Sequence, residues 1–181
     1  MGMRGRGNIN SETRGFHMGK GEKRVYIEKP EGHYCFACGT ANPIGFNLQF
    51  YRNGDSICTE ITLKRVHEGW HGVAHGGLIS TLVDEVMSWT IMYFKKTFIV
   101  TRKMSIKYVR NVRIGIPLVV CGRLLDDSSP PKIAAKSEVR DEQGRLLVRS
   151  TGEFVILSGE ELSTVPEAEK KDMLSLFGRF K

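Results

Sequence analysis

No apolar stretch of this 181-residue chain approaches the roughly 20 residues that a membrane-crossing helix needs; Met87–Phe94 is among the longest. The opening segment, MGMRGRGNINSETRGFHMGK, lacks the apolar core of a secretory signal. Together these absences lead to the expectation of a soluble, cytoplasmic protein. Cysteine is scarce as well: Cys35, Cys38, Cys58 and Cys121 are the whole set, and in a reducing compartment free thiols are expected. No internal repeat and no convincing second domain is present. Disorder of the whole chain is excluded, because 40% hydrophobic residues against 26% charged is an ordinary globular balance.

Acidic charge is scarce in one place and absent from another. Residues 1–24 hold six basic residues against two acids, a net of +4 that leaves only +3 for the rest of the chain. This Gly-rich segment reads as a disordered, solvated tail, and nucleic acid is not the expected partner. The run Lys95–Arg113 holds seven basic residues and no acid. It falls inside the folded region and is the better candidate for gripping an anionic ligand.

What is present organises simply. PEGHYCFACGTANPIG, residues 30–45, is a turn-rich lead-in. Phe46–Tyr51 and Ser56–Leu63 read as strands joined at Asn53-Gly54-Asp55, a hairpin signal. Residues 64–77 read as glycine-rich loop. From Gly77 to about Phe94 the apolar positions recur on nearly every face, the mark of a buried helix. Four strand-like segments follow, Phe98–Val109, Pro117–Leu125, Lys132–Asp141 and Arg145–Leu157, with short joints that suggest a meander. A short helix is expected from Pro166. The resulting expectation is α+β, one long helix wrapped by an antiparallel sheet of about six strands. The domain spans residues 25–160 and a helical tail covers 161–181. One sheet leaves the ends of such a helix half covered, so pairing of chains, as a homodimer or a dimer of dimers, is expected.

Several residues carry possible chemistry. Cys35-Phe-Ala-Cys38 with His33 just before it looks like half a zinc site. No second pair follows, so the expectation is two free cysteines in a tight loop. His67, His71 and His75 have helical metal-site spacing, but Gly69, Gly72, Gly76 and Gly77 argue against a helix there. No metal and no cofactor is expected. Trp70 and Trp89 read as core or dimer contacts. The informative segment is His75-Gly76-Gly77 followed by Asp84. Two glycines at a helix start admit close approach, and first-turn N–H groups can hold a developing oxyanion. An acid two turns into an apolar helix is unusual, and a buried structural hydrogen bond is the competing account.

These residues resemble the hotdog-fold acyl-CoA thioesterases, in particular the phenylacetate-pathway-like (PaaI-type) group. The resemblance rests on Glu68-Gly-Trp-His-Gly-Val-Ala-His75-Gly-Gly, on the helix with Asp84, on Val100–Arg110 and on the Cys35–Gly45 lead-in, and covers about residues 33–157. It implies hydrolysis of an acyl-CoA thioester, with Asp84 as general base or nucleophile. His75 and the Gly77 amide would orient and polarise the carbonyl, and Thr101 would place the attacking water. Glu68 stands where relatives carry Asn or Gln and joins as an extra candidate. With coenzyme A as half of the substrate, Gly76, Lys103, Lys107 and Arg110 are the binding candidates. A non-catalytic acyl-CoA sensor on the same fold is the alternative.

Overall fold

The computed structural model describes residues 24–180, so the expected basic tail lies, Arg24 apart, outside the described residues. A helix that is apolar all round needs cover all round. Helix α1, Gly76–Lys95, buries Ile79, Leu82, Val83, Val86, Met87, Trp89, Ile91 and Tyr93 and ends at Lys96 in the left-handed conformation. The cover is a seven-stranded antiparallel sheet, in the order β1-β2-β3-β7-β8-β9-β6. Its strands are β1 (Val25–Tyr26), β2 (Phe50–Asn53), β3 (Ser56–Thr62), β6 (Ile99–Tyr108), β7 (Pro117–Ser129), β8 (Lys132–Asp141) and β9 (Leu146–Ile156). The hotdog arrangement of one long helix in a wrapped sheet is thus what forms. The strand beyond the expected six is the two-residue β1.

Three local expectations are corrected. β6 does not sit beside β7 in a meander. It pairs with β9 at the far edge, because residues 109–116 carry the chain across to the middle of the sheet, held by Ile114 N–H to Gly72 O at 3.2 Å and Gly115 N–H to Leu63 O at 2.7 Å. Phe46–Gln49 is not strand. Asn47 has a φ of 47°, and the Lys29 ammonium pins this stretch by donating to Asn47 Oδ1 at 2.9 Å and Leu48 O at 2.7 Å. Residues 64–77 are not plain loop. They hold a 3₁₀ turn at Arg65–His67 and a small sheet of β4 (Glu68–Trp70) and β5 (Val73–Ala74).

The thiol expectation also fails for one pair. Cys58 on β3 and Cys121 on β7 lie directly opposite and are joined as a disulfide. They are 63 residues apart in the chain, so only the strand register brings them together. Of the two tryptophans, Trp89 is core, stacked on Phe50 at 4.6 Å between ring centres, whereas Trp70 is 81% exposed. The C-terminal segment forms α2 (Gly159–Ser163) and α3 (Glu167–Arg179). It docks on the body, with Phe177 against Phe98 and Phe180 against Tyr93. Among the described residues no helix is long and apolar enough to cross a membrane.

Helix and sheet meet most closely at Gly122 of β7. A Cβ there would lie 2.4 Å from Thr90 Oγ1 and 2.9 Å from the Val86 carbonyl oxygen. Thr90 cannot simply turn aside, because its hydroxyl donates to that same carbonyl at 2.7 Å. Gly122→Ala is therefore expected to push α1 off the sheet and cost about 1–3 kcal/mol, the usual penalty of overpacking. Urea unfolding monitored by circular dichroism checks this; an unchanged midpoint would count against the close approach.

Candidate active site

The site is built at the two ends of a path along α1. At its start His75 is the N-cap, and its Nδ1 accepts the Gly77 N–H at 3.0 Å. That bond satisfies one orphan amide of the first turn. It also engages the very amide expected to polarise a carbonyl, which changes the assignment of roles. With Nδ1 accepting, the ring proton of a neutral His75 resides on Nε2, which becomes the available donor. His75 is held from behind by its own N–H to His67 O at 2.9 Å. Gly69 packs so tightly there that a Cβ would fall 2.7 Å from His75 Cα. Glu68, the extra candidate, accepts the Gly72 N–H at 3.0 Å and closes the β4–β5 turn. His67 Nδ1 accepts from Lys64 N–H at 3.0 Å, so His67 and His75 serve separate local structures.

Two turns on, Asp84 Oδ1 accepts the Thr101 hydroxyl at 2.8 Å. Burial raises the Asp84 carboxyl above its usual range, the Thr101 bond pulls it back, and the negative charge of Cys35 adds to the rise. Thr101 reaches α1 because of an irregularity in β6. Strict alternation would place Thr101 on the face of Lys103 and Lys107. The register shift between Thr101 and Lys103 inserts one residue, and Thr101 turns to the helix side. That side also carries Met104 and Ile106, packed against core clusters, and Tyr108. The Tyr108 hydroxyl donates to Gly76 O at 2.8 Å and meets Ser80 Oγ at 3.0 Å. Tyr108 and Ser80 escaped the sequence reading, since a lone aromatic at a strand end carries no signal of such a contact.

The binding candidates are spread along the exposed side. Gly76, Lys103, Lys107 and Arg110 are all exposed. Lys103 Nζ lies 3.9 Å from Glu153 Oε1, and Arg110 donates to Leu146 O at 2.6 Å.

Glu85, one residue on from Asp84, faces elsewhere. Its Oε1 accepts the Trp89 indole N–H at 2.9 Å, and both carboxylate oxygens are 3.9 Å from Cys35 Sγ. Burial, with the charge of Cys35, pushes Glu85 up to about 7 against its bonds to Cys38 and Trp89. The Cys35 thiol falls to about 5, chiefly through its bond with Cys38, whose own thiol is raised by that bond and by burial. Nothing in the spacing announces this group, because Glu85 enters it from 47 residues downstream of Cys38 in the chain.

Comparison with known proteins places the fold. The family described as "Thioesterase superfamily" matches residues 71–126, the stretch from the approach to His75 through β7. The chain has the hotdog fold. A crystallised thioesterase superfamily protein superposes with a TM-score of 0.63 at 24% identity, over 67% of this chain and 63% of its own length, so the chain spans less than two thirds of that protein. A hypothetical thioesterase of Streptococcus pneumoniae solved with coenzyme A gives 0.56 at 18% identity, over 62% of this chain and 87% of its own. The PaaI protein of the E. coli phenylacetic acid degradation operon gives 0.57 at 14% identity, over 63% of this chain and 82% of its own. No curated protein matches the chain.

The capping role of His75 in this hotdog domain is open to direct test. His75→Ala should cost about 0.5–2 kcal/mol, the usual loss for an N-cap, whereas His75→Asn keeps a capping acceptor and should recover most of it. Equal losses in both, measured by urea unfolding, would show that the Nδ1 contact does not hold the helix start.

Proposed function

We propose that this protein is an acyl-CoA thioesterase in which Asp84 drives attack on the thioester carbonyl. The observation that carries the reading is the Thr101–Asp84 hydrogen bond of 2.8 Å. It holds Oδ1 and aims the carboxylate, so that Oδ2 remains to take a proton from water or to attack directly. Burial that raises the carboxyl makes it a stronger base. A thioester is electrophilic and its thiolate leaves readily, so one positioned carboxylate with preorganised donors meets the chemical need. In this reading His75 Nε2–H and the first turn of α1 stabilise the carbonyl oxygen, and the Gly77 amide acts by holding His75. Gly76, with no Cβ, allows the substrate close to that turn. Lys103, Lys107 and Arg110 meet the phosphates of coenzyme A.

Helix geometry adds a requirement. At 1.5 Å rise per residue, Gly77 and Asp84 of one helix lie about 10 Å apart along its axis. A carbonyl in position for attack needs its reacting partner within about 3–3.5 Å. The helix start and the carboxylate of one chain therefore do not serve the same carbonyl. A second copy supplying the missing half resolves this, and β6 offers the means. It is a ten-residue edge strand that, among the described residues, pairs on one side only, with β9. Such an edge is a template for pairing with its twin. The working unit in this reading is a dimer, each site taking Asp84 and Thr101 from one chain and the His75–Gly77 turn from the other.

Steady-state hydrolysis of acyl-CoA thioesters with short, long and aromatic acyl chains is the test. Asp84→Asn should lower kcat by about 10²–10⁴ with KM little changed, the loss expected for a positioned general base. Binding of acyl-CoA by the unmutated protein without any turnover would favour the sensor instead. The dimer is tested by mixing: Asp84→Asn chains and His75→Ala chains, each nearly inactive alone, should regain activity together as hybrid dimers form. Failure of that complementation in a mixture shown by mass to contain hybrids would place both halves of the site on one chain.

A further inference from the structure

We propose that Cys35, Cys38 and Glu85 form a binding site for a zinc-like divalent cation that staples the lead-in loop to helix α1. This is independent of the thioesterase reading. The ligand atoms of the three residues all lie within 4.8 Å of one another, and Cys35 Sγ is 3.9 Å from each Glu85 oxygen. In a tetrahedral zinc site with bonds of about 2.0–2.3 Å, neighbouring ligand atoms are about 3.3–3.8 Å apart. Contraction by about 1–1.5 Å at most closes the group on an ion. Among the described residues no other group of three such side chains gathers in this way.

The loop is shaped for this. The Gly39 N–H returns to Cys35 O at 2.8 Å, a turn so tight that a Cβ on Gly39 would fall 2.4 Å from that oxygen. The backbone of Ala37 and Cys38 in this turn favours the Cys35 thiolate, the form that binds a metal. The carboxylate ligand is itself oriented by the Trp89 indole N–H at 2.9 Å, the kind of outer contact that fixes a ligand's direction. His33 supplies the second sign. Its Nε2 is buried with no hydrogen-bond partner, and the ring lines the same cavity of about 260 Å³ as Cys35, Cys38 and Glu85. A buried ring nitrogen without a partner is costly, and coordination relieves it. His33 lies outside the group of three and would move inward to become the fourth ligand.

Charge agrees with a cation. Glu31, Glu169 and Asp172 line the cavity. A nearby ammonium, Lys29, is committed to Cys38 O at 2.8 Å as well as to Asn47 and Leu48, where it holds the loop in place. On binding, any coordinating thiol that is still protonated gives its proton to solvent, and no oxidant or reductant is consumed. The ion would join the lead-in segment to the residue beside Asp84, so its first effect is to rigidify that turn of α1.

Cobalt(II) is the probe, titrated into the reduced, chelator-treated full-length protein. One ion per chain should bind with a thiolate-to-cobalt charge-transfer band, and zinc should displace it. Cys35→Ala and Cys38→Ala should abolish the band. Trp89→Phe should weaken binding about 10–100-fold, as loss of an orienting partner does. His33→Ala should shift the ligand-field bands, and an unshifted spectrum would overturn the role given to His33. No charge-transfer band, or one that survives Cys38→Ala, would overturn the site. Should the cysteine variants fail to fold, alkylation mapping of the unmutated protein decides: zinc must protect Cys35 and Cys38 together, and equal labelling with and without zinc overturns the proposal.

Discussion

The close seating of α1 on the sheet is the constraint on which the rest of this molecule depends. Gly122 lets the helix backbone approach β7, and Gly152 on β9 leaves room for Met87 and Phe154 in the same way. Small polar groups at that contact are satisfied locally. Ser137 on β8 donates to Val83 O at 3.2 Å and shares a hydrogen with Ser150 at 2.7 Å. A helix held this tightly has no rotational freedom, so the direction of every polar side chain on it is set by core packing. That is how a helix buried on nearly all sides can present two acids in chosen directions.

Asp84 and Glu85 show what this rigidity achieves. They are adjacent in sequence and about 100° apart around the helix. One meets Thr101 on β6, and the other meets Cys35, Cys38 and Trp89 on the opposite flank. Both carboxyls are raised by burial, yet they face different neighbours: an alcohol hydroxyl for one, and cysteine sulfur with an indole N–H for the other. Their contrast is one of neighbours rather than of residue type.

Much of this was legible in the residues. Periodicity marks α1 to within a residue at each end, and β8 begins and ends where its pattern of alternation does. The Thr101–Asp84 pair follows from the family resemblance and is present at hydrogen-bond distance. The Cys35–Cys38 pair, by contrast, reads as an incomplete motif because its partners are remote: Glu85 sits on a helix whose apolar pattern hides it. The Cys58–Cys121 disulfide is likewise invisible, since each cysteine is isolated in its own strand. The bond from the Gly77 N–H to the His75 ring was not legible, because it is a matter of side-chain geometry.

Local pattern by itself determined the class of fold, the place of the long helix and the candidates at its start and centre, because burial periodicity and glycine placement act within a few residues. Tertiary structure decided what pairs with what. It put β6 at the sheet edge rather than beside β7, and it placed one extra residue between Thr101 and Lys103. That bulge turns Thr101 toward Asp84 and leaves Lys103 and Lys107 outward. The choice is not local: a strand alternates with period two whatever its partner, and only the register against β9 settles which residue breaks the count.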